Sequence, residues 1–107
     1  MEQGRVGEVA VIFTSMRNGS DAVGYDAAAV AMGALAAAQP GYRGIDSVRD
    51  LSGDGITISY WADEAAAIAW RDHPDHAAIR EAGRERWYDR YRVTVCTVAR
   101  DYAWQRS

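Results

Sequence analysis

Two histidines, His73 and His76, stand three residues apart in the run DHPDH, with Asp72 and Asp75 beside them and Arg80 one helical turn beyond. Imidazole titrates near neutrality, so either ring can take a proton from an acidic substrate. Two imidazoles at helical spacing can also share a metal ion. A protein zinc site needs about three protein ligands, and no third ligand cluster accompanies the pair, so no metal site is expected. The bland reading makes His73 the cap of the chain break at Pro74, with His76 packed or facing a pocket.

Trp61 and Trp70 bracket the start of the same helical segment, and His76, Ile79, Arg80, Gly83 and Trp87 fall on one stripe of its continuation, with Tyr91 just past it. Large aromatics dominate the cores of small domains, and they also make flat apolar walls for a ring-shaped ligand. Gly83 costs a helix about 1 kcal/mol relative to alanine. Close packing of the sheet on that turn and room for a ligand are both adequate reasons for it. Glu81, Arg84, Glu85, Arg86 and Asp89 form the solvated face. The candidate site is His76 as proton acceptor and Arg80 as the cation for the resulting anion. Trp61, Trp70, Phe13 and Trp87 are its candidate substrate-binding walls.

The elements that must carry these side chains are legible in the apolar spacing. Val9–Met16 reads as a strand with apolar residues on both alternating faces. Ser20 or Asp21 caps a helix over Tyr25–Ala38 that Pro40 and Gly41 stop. Tyr42–Asp50 reads as a second strand with a bulge near Gly44, and Ser52–Gly55 as a hairpin turn rather than a phosphate loop. Ile56–Trp61 is the third strand. Asp63 caps a second helix that Pro74 interrupts and that resumes from Asp75. Tyr91–Arg100 is the fourth strand, and Cys96 within it is expected to be a small buried core residue. The order is β-α-β-β-α-β in a single domain over residues 1–107, an α+β, ferredoxin-like fold with a four-stranded antiparallel sheet.

Two helices cover one face of such a sheet. The first and fourth strands are apolar on both faces, and no segment remains to cover the second one. A second copy supplies it, so a homodimer with sheets face to face is expected.

The residues Ser59-Tyr60-Trp61, Ala69-Trp70, His73-Pro74-Asp75-His76, Gly83-Arg84, Trp87-Tyr88, Tyr91-Arg92-Val93 and Arg100-Asp101-Tyr102 together resemble the antibiotic biosynthesis monooxygenase family, whose members are dimeric α/β barrels. That resemblance implies oxygen chemistry without flavin or metal on an aromatic or polyketide-like small molecule. The superfamily also contains haem-degrading oxygenases, which the resemblance allows to be checked residue by residue. Trp70 matches their distorting tryptophan. The position of their iron-ligating histidine holds Arg80, which stays protonated and cannot ligate iron, and the first strand lacks their asparagine. Haem binding through His76 instead, or a non-catalytic accessory role in a biosynthetic pathway, are the alternatives.

Composition narrows the remaining classes. The 107 residues carry a net charge of −3, which offers no field for nucleic acid. All twelve basic side chains are arginine, which excludes lysine Schiff-base chemistry. The lone cysteine excludes an internal disulfide. The start lacks a secretion signal and no apolar run approaches the ~20 residues of a membrane span. A cytoplasmic location and no membrane partner are expected.

Overall fold

The computed structural model describes residues 4–107; residues 1–3, the start of the polar lead, lie outside it. β1 (Val9–Arg17) leads into α1 (Ala22–Ala37), β2 (Tyr42–Arg49) and β3 (Asp54–Trp61) form a hairpin, and α2 (Glu64–Arg71) and α3 (Pro74–Ala82) lead to β4 (Tyr88–Thr97). The strands lie in the order β2-β3-β1-β4, all neighbours antiparallel. This is the expected α+β, ferredoxin-like architecture.

Local chemistry sets most of the boundaries. Asp21 adopts the left-handed conformation (φ 50°), and its carboxylate accepts from the Gly24 amide. That cap starts α1 three residues before the Tyr25 expected from the apolar spacing. Asp63 caps α2 by accepting from the Ala66 amide at 2.8 Å. His73 closes the gap at Pro74, its Nδ1 accepting from the Asp75 amide at 3.2 Å, while Pro74 occupies the first turn of α3, where a missing N–H costs nothing. The bulge near Gly44 is present as a register shift between Tyr42 and Gly44. The β2–β3 turn sits earlier than expected, closed by the Gly53 amide on the Asp50 carbonyl at 3.2 Å, because Gly53 rather than Gly55 takes the positive φ of 104°.

Pairing fixes the faces of the sheet. Val9, Val11, Phe13 and Ser15 point to the helices, opposite Trp61, Ser59, Thr57 and Gly55 on β3 and opposite Thr97, Val95, Val93 and Tyr91 on β4. The core sits there, in a cluster of Val9, Ala36, Trp61, Ala67 and Trp70. The even-numbered residues of β1 point to a face that no helix covers. Cys96, opposite Ala10 on that face of an edge strand, is exposed, which corrects the expectation of a buried core thiol. β4 also begins and ends three residues early. A π-helical turn over Gly83–Trp87 delivers the chain to the sheet at Tyr88, and the ladder with β1 stops at Val9–Thr97.

Candidate functional site

The second helical segment brings three of the candidate residues into one stack. Trp61 is wholly buried and donates its Nε1–H to the Ser59 hydroxyl at 2.9 Å. Trp70 stacks on it with 5.9 Å between ring centroids. His76 lies flat on the other side of the system, 4.3 Å from the Trp70 centroid with 12° between the planes. Its Nδ1 is 3.0 Å from the Trp70 carbonyl. A carbonyl only accepts, so Nδ1 carries the hydrogen and the neutral ring keeps its lone pair on Nε2. Burial holds the His76 pKa below its ordinary value of 6.5; the Trp70 carbonyl opposes this, while the nearby charge of Arg80 reinforces it. The imidazole is therefore neutral at neutral pH.

Arg80 sits one turn after His76 and donates to the Arg71 carbonyl at 3.2 Å. That bond spans the break at Pro74 and ties α3 to the end of α2. Neither His76 nor Arg80 lines either of two surface recesses. One of these, about 360 Å³, runs along Pro40, Gly41, Ala66, Ala69 and Trp70. Beside α3, however, the helix-side surface of β4 is uncovered. Val93 and Val95 share the face of Phe13 and Val11 yet are 50% and 54% exposed, because α3 packs on α2 and the π-helical turn rather than down on the strands.

Phe13 and Trp87 belong to a different cluster, at the other end of β1. Phe13 contacts Tyr88 edge-on at 5.4 Å and Tyr91 at 5.3 Å. Trp87 is buried against Tyr25 and donates to Asp21 Oδ2 at 3.2 Å. The extra residue of the π turn rotates Trp87 off the stripe that helical spacing assigned to it. The structure thus joins Trp61, Trp70 and His76, brings Arg80 alongside, and separates Phe13 and Trp87 from them.

This second cluster holds polar groups that sequence reading missed. The Arg17 guanidinium lies 3.8 Å above the Tyr25 ring. Arg49 donates to the Tyr25 hydroxyl at 3.2 Å, to the Ser15 hydroxyl at 2.8 Å and to the Gly53 carbonyl. Burial, with Tyr25 alongside, raises the Tyr88 hydroxyl far above its ordinary range. Neither guanidinium meets a carboxylate among the described residues. Glycines make the room: a Cβ on Gly55 would strike the Arg49 guanidinium at 2.5 Å, and one on Gly83 the Tyr88 ring at 2.8 Å. Close packing of Tyr88, the first residue of β4, is therefore the reason for Gly83. The one sequence signal for the cluster was the pair of arginines at strand ends, and their convergence depends on pairing across three strands.

With His76 and its stack defined, the chain's relatives give it a family. The model of the antibiotic biosynthesis monooxygenase family matches residues 9–82, and the chain belongs to that family. It is 45% identical to the uncharacterised protein YqjZ of Bacillus subtilis over 98 residues, covering 92% of this chain and 85% of that one. Among solved structures it is similar to SnoaB from Streptomyces nogalater, described as a cofactor-independent oxygenase, with a TM-score of 0.75 and 18% identity over 89% of this chain and 96% of that one. It is also similar to Rv0793 from Mycobacterium tuberculosis, with a TM-score of 0.78 and 22% identity over 90% and 99% of the two chains. At those identities the structural likenesses establish the shared fold. No helix among the described residues is long and apolar enough to cross a membrane, and no three His, Cys, Asp or Glu side chains among them gather as a metal site would require.

Proposed function

We propose that the protein is a monooxygenase acting on an electron-rich aromatic, polyketide-like small molecule with molecular oxygen and without flavin or metal. The observation that carries this reading is the His76–Trp70 stack. It holds a neutral imidazole with its Nδ1 already bonded, leaving Nε2 to remove a phenolic proton. Family membership and the fold shared with a cofactor-independent oxygenase support the reaction class. A phenolate is electron-rich enough to reduce oxygen directly. One oxygen atom enters the ring carbon as a quinone carbonyl, the ring gives up its hydrogens, and the second oxygen atom leaves as water. Arg80, within one turn of His76, is the cation for the phenolate, and a site that excludes water strengthens that attraction. The apolar strip of Val11, Val93 and Val95 offers a floor on which a flat substrate can lie.

We infer also that two copies pair through the open faces of their sheets. Ile12 and Ile58 on that face are only partly buried, and Ile56 and Val48 are 44% and 71% exposed. Apolar residues on a sheet face that no helix covers are open to pairing with another sheet.

Oxygen uptake by hydroxynaphthalene substrates, measured in the presence of a chelator with wild type and His76→Ala, tests the enzymatic reading. Uptake above the spontaneous rate that His76→Ala abolishes is the expected result. Tight binding with no uptake would instead identify an accessory protein. A visible absorption band in the purified protein, or one gained on adding haemin, would point to haem.

A further inference from the structure

Tyr91 ends the apolar strip beside α3, and the proposed reaction makes no use of it. Along β4, Tyr91, Val93 and Val95 fall on the helix side of the sheet, opposite Ser15, Phe13 and Val11 of β1. The two valines are half exposed. The Tyr91 ring lies tilted on Phe13, 5.3 Å between centroids, so these two rings make a wall beyond Val93. Tyr88, three residues earlier, packs edge-on against Tyr25 in the buried cluster. Tyr91 instead carries its hydroxyl up to the helical layer, where the Arg84 Nε–H donates to it at 2.7 Å. Glu81 holds Arg84 in turn, one helical turn back, at 3.1 Å.

A guanidinium only donates, so the Tyr91 oxygen accepts that bond and keeps its own hydrogen for another acceptor. Among the described residues the hydroxyl meets no other partner. The chain reverses at the π-helical turn, so both elements lead away from the Arg84–Tyr91 contact, α3 back to His76 and β4 on to Val95. His76 precedes Arg84 by eight residues, about 12 Å of helix axis. Val95 follows Tyr91 by four residues, about 14 Å of strand. Two polar groups of opposite character therefore bracket one apolar strip. His76 Nε2 is the acceptor, its Nδ1 being occupied by the Trp70 carbonyl, and the Tyr91 hydroxyl is the donor.

We propose that Tyr91 determines specificity by donating its hydroxyl hydrogen to a second oxygen of the substrate, at the end of the ring system away from the phenol that His76 deprotonates. Arg84 is the positioning residue that keeps this hydrogen free. The substrate class narrows to flat ring systems with an oxygen function at each end. This rests on the reading of His76 as the base. Anaerobic fluorescence titration tests it without turnover, using a hydroxyanthracene and the dihydroxyanthracene that carries a second hydroxyl on the far ring. Tyr91→Phe, which keeps the ring on Phe13, should weaken the dihydroxy ligand about three- to tenfold, the value of one neutral hydrogen bond, and leave the monohydroxy ligand unchanged. Arg84→Met should lose part of this discrimination, and Arg84→Gln, which retains an N–H donor, should keep it. His76→Ala should weaken both ligands. If Tyr91→Phe affects both ligands equally, or neither, while His76→Ala still weakens both, the role of Tyr91 is overturned and that of His76 stands. If neither ligand binds the wild-type protein, both readings fall.

Discussion

The imidazole of His76 lies flat on the indole of Trp70 while its Nδ1 is held by the backbone carbonyl of that same tryptophan. One residue therefore fixes the ring's plane, its tautomer and its burial. The break at Pro74 makes this possible, because a continuous helix would bond the Trp70 carbonyl to the amide of residue 74, which proline lacks.

His76→Ala should reduce turnover of an aromatic substrate by about 10²–10⁴-fold, the contribution of a general base. His73→Ala should leave the rate intact and lower the melting temperature, since His73 caps α3 through the Asp75 amide. Rates across pH and thermal melts on both variants check this. Full activity in His76→Ala with loss in His73→Ala would reverse the assignment.

The His76 pKa is lowered in the folded chain by burial, so on acidification the unfolded chain binds the proton first. The stabilisation from keeping this ring neutral is complete above the unfolded value near 6.5 and is lost as pH falls through the folded value. Denaturant unfolding between pH 7.5 and 5 should show declining stability in wild type and a flatter profile in His76→Gln. Equal slopes would mean that the ring is not held neutral by burial.

Trp70→Ala should cost about 3–5 kcal/mol, as for other buried aromatics truncated in a core, because it leaves a void against Trp61. It should also move the His76 pKa, followed by NMR titration, up towards its ordinary value. A large stability loss with an unmoved pKa would show that other groups bury the imidazole.

Gly83→Ala should destabilise, although alanine normally improves a helix by about 1 kcal/mol. The new methyl would lie 2.8 Å from the Tyr88 ring, which Phe13 and Tyr25 hold from the other sides. Equilibrium unfolding of Gly83→Ala alone and with Tyr88→Ala should show the penalty disappearing in the double variant. A penalty that persists would point to the π turn itself.

Arg49→Met should destabilise by about 1–3 kcal/mol, the cost of leaving buried hydrogen-bonding groups unpaired, since Ser15 is buried and both it and Tyr25 accept from Arg49. Ser15→Ala in the same background should cost little further, which a double-mutant cycle measures.

Element order and both the proline and aspartate punctuation of the helices followed from the sequence alone. Each depends on a period of two or 3.6 residues or on a cap a few residues away, and such interactions are local. The family could also be read from the run between Ser59 and Tyr102. Tertiary structure alone decided which aromatics meet. Trp61, Trp70 and His76 come together because a helix returns over the strand that precedes it. Phe13 and Trp87 are drawn away by a one-residue change of helical pitch and by pairing between β1 and β4. Cys96 had the apolar neighbours of a core strand, but exposure depends on which layer covers a face, and nothing in its local sequence encodes that. The arginines at positions 17 and 49, 32 residues apart in the chain, converge on Tyr25 only through the register of three strands, a relation that no spacing along the chain contains.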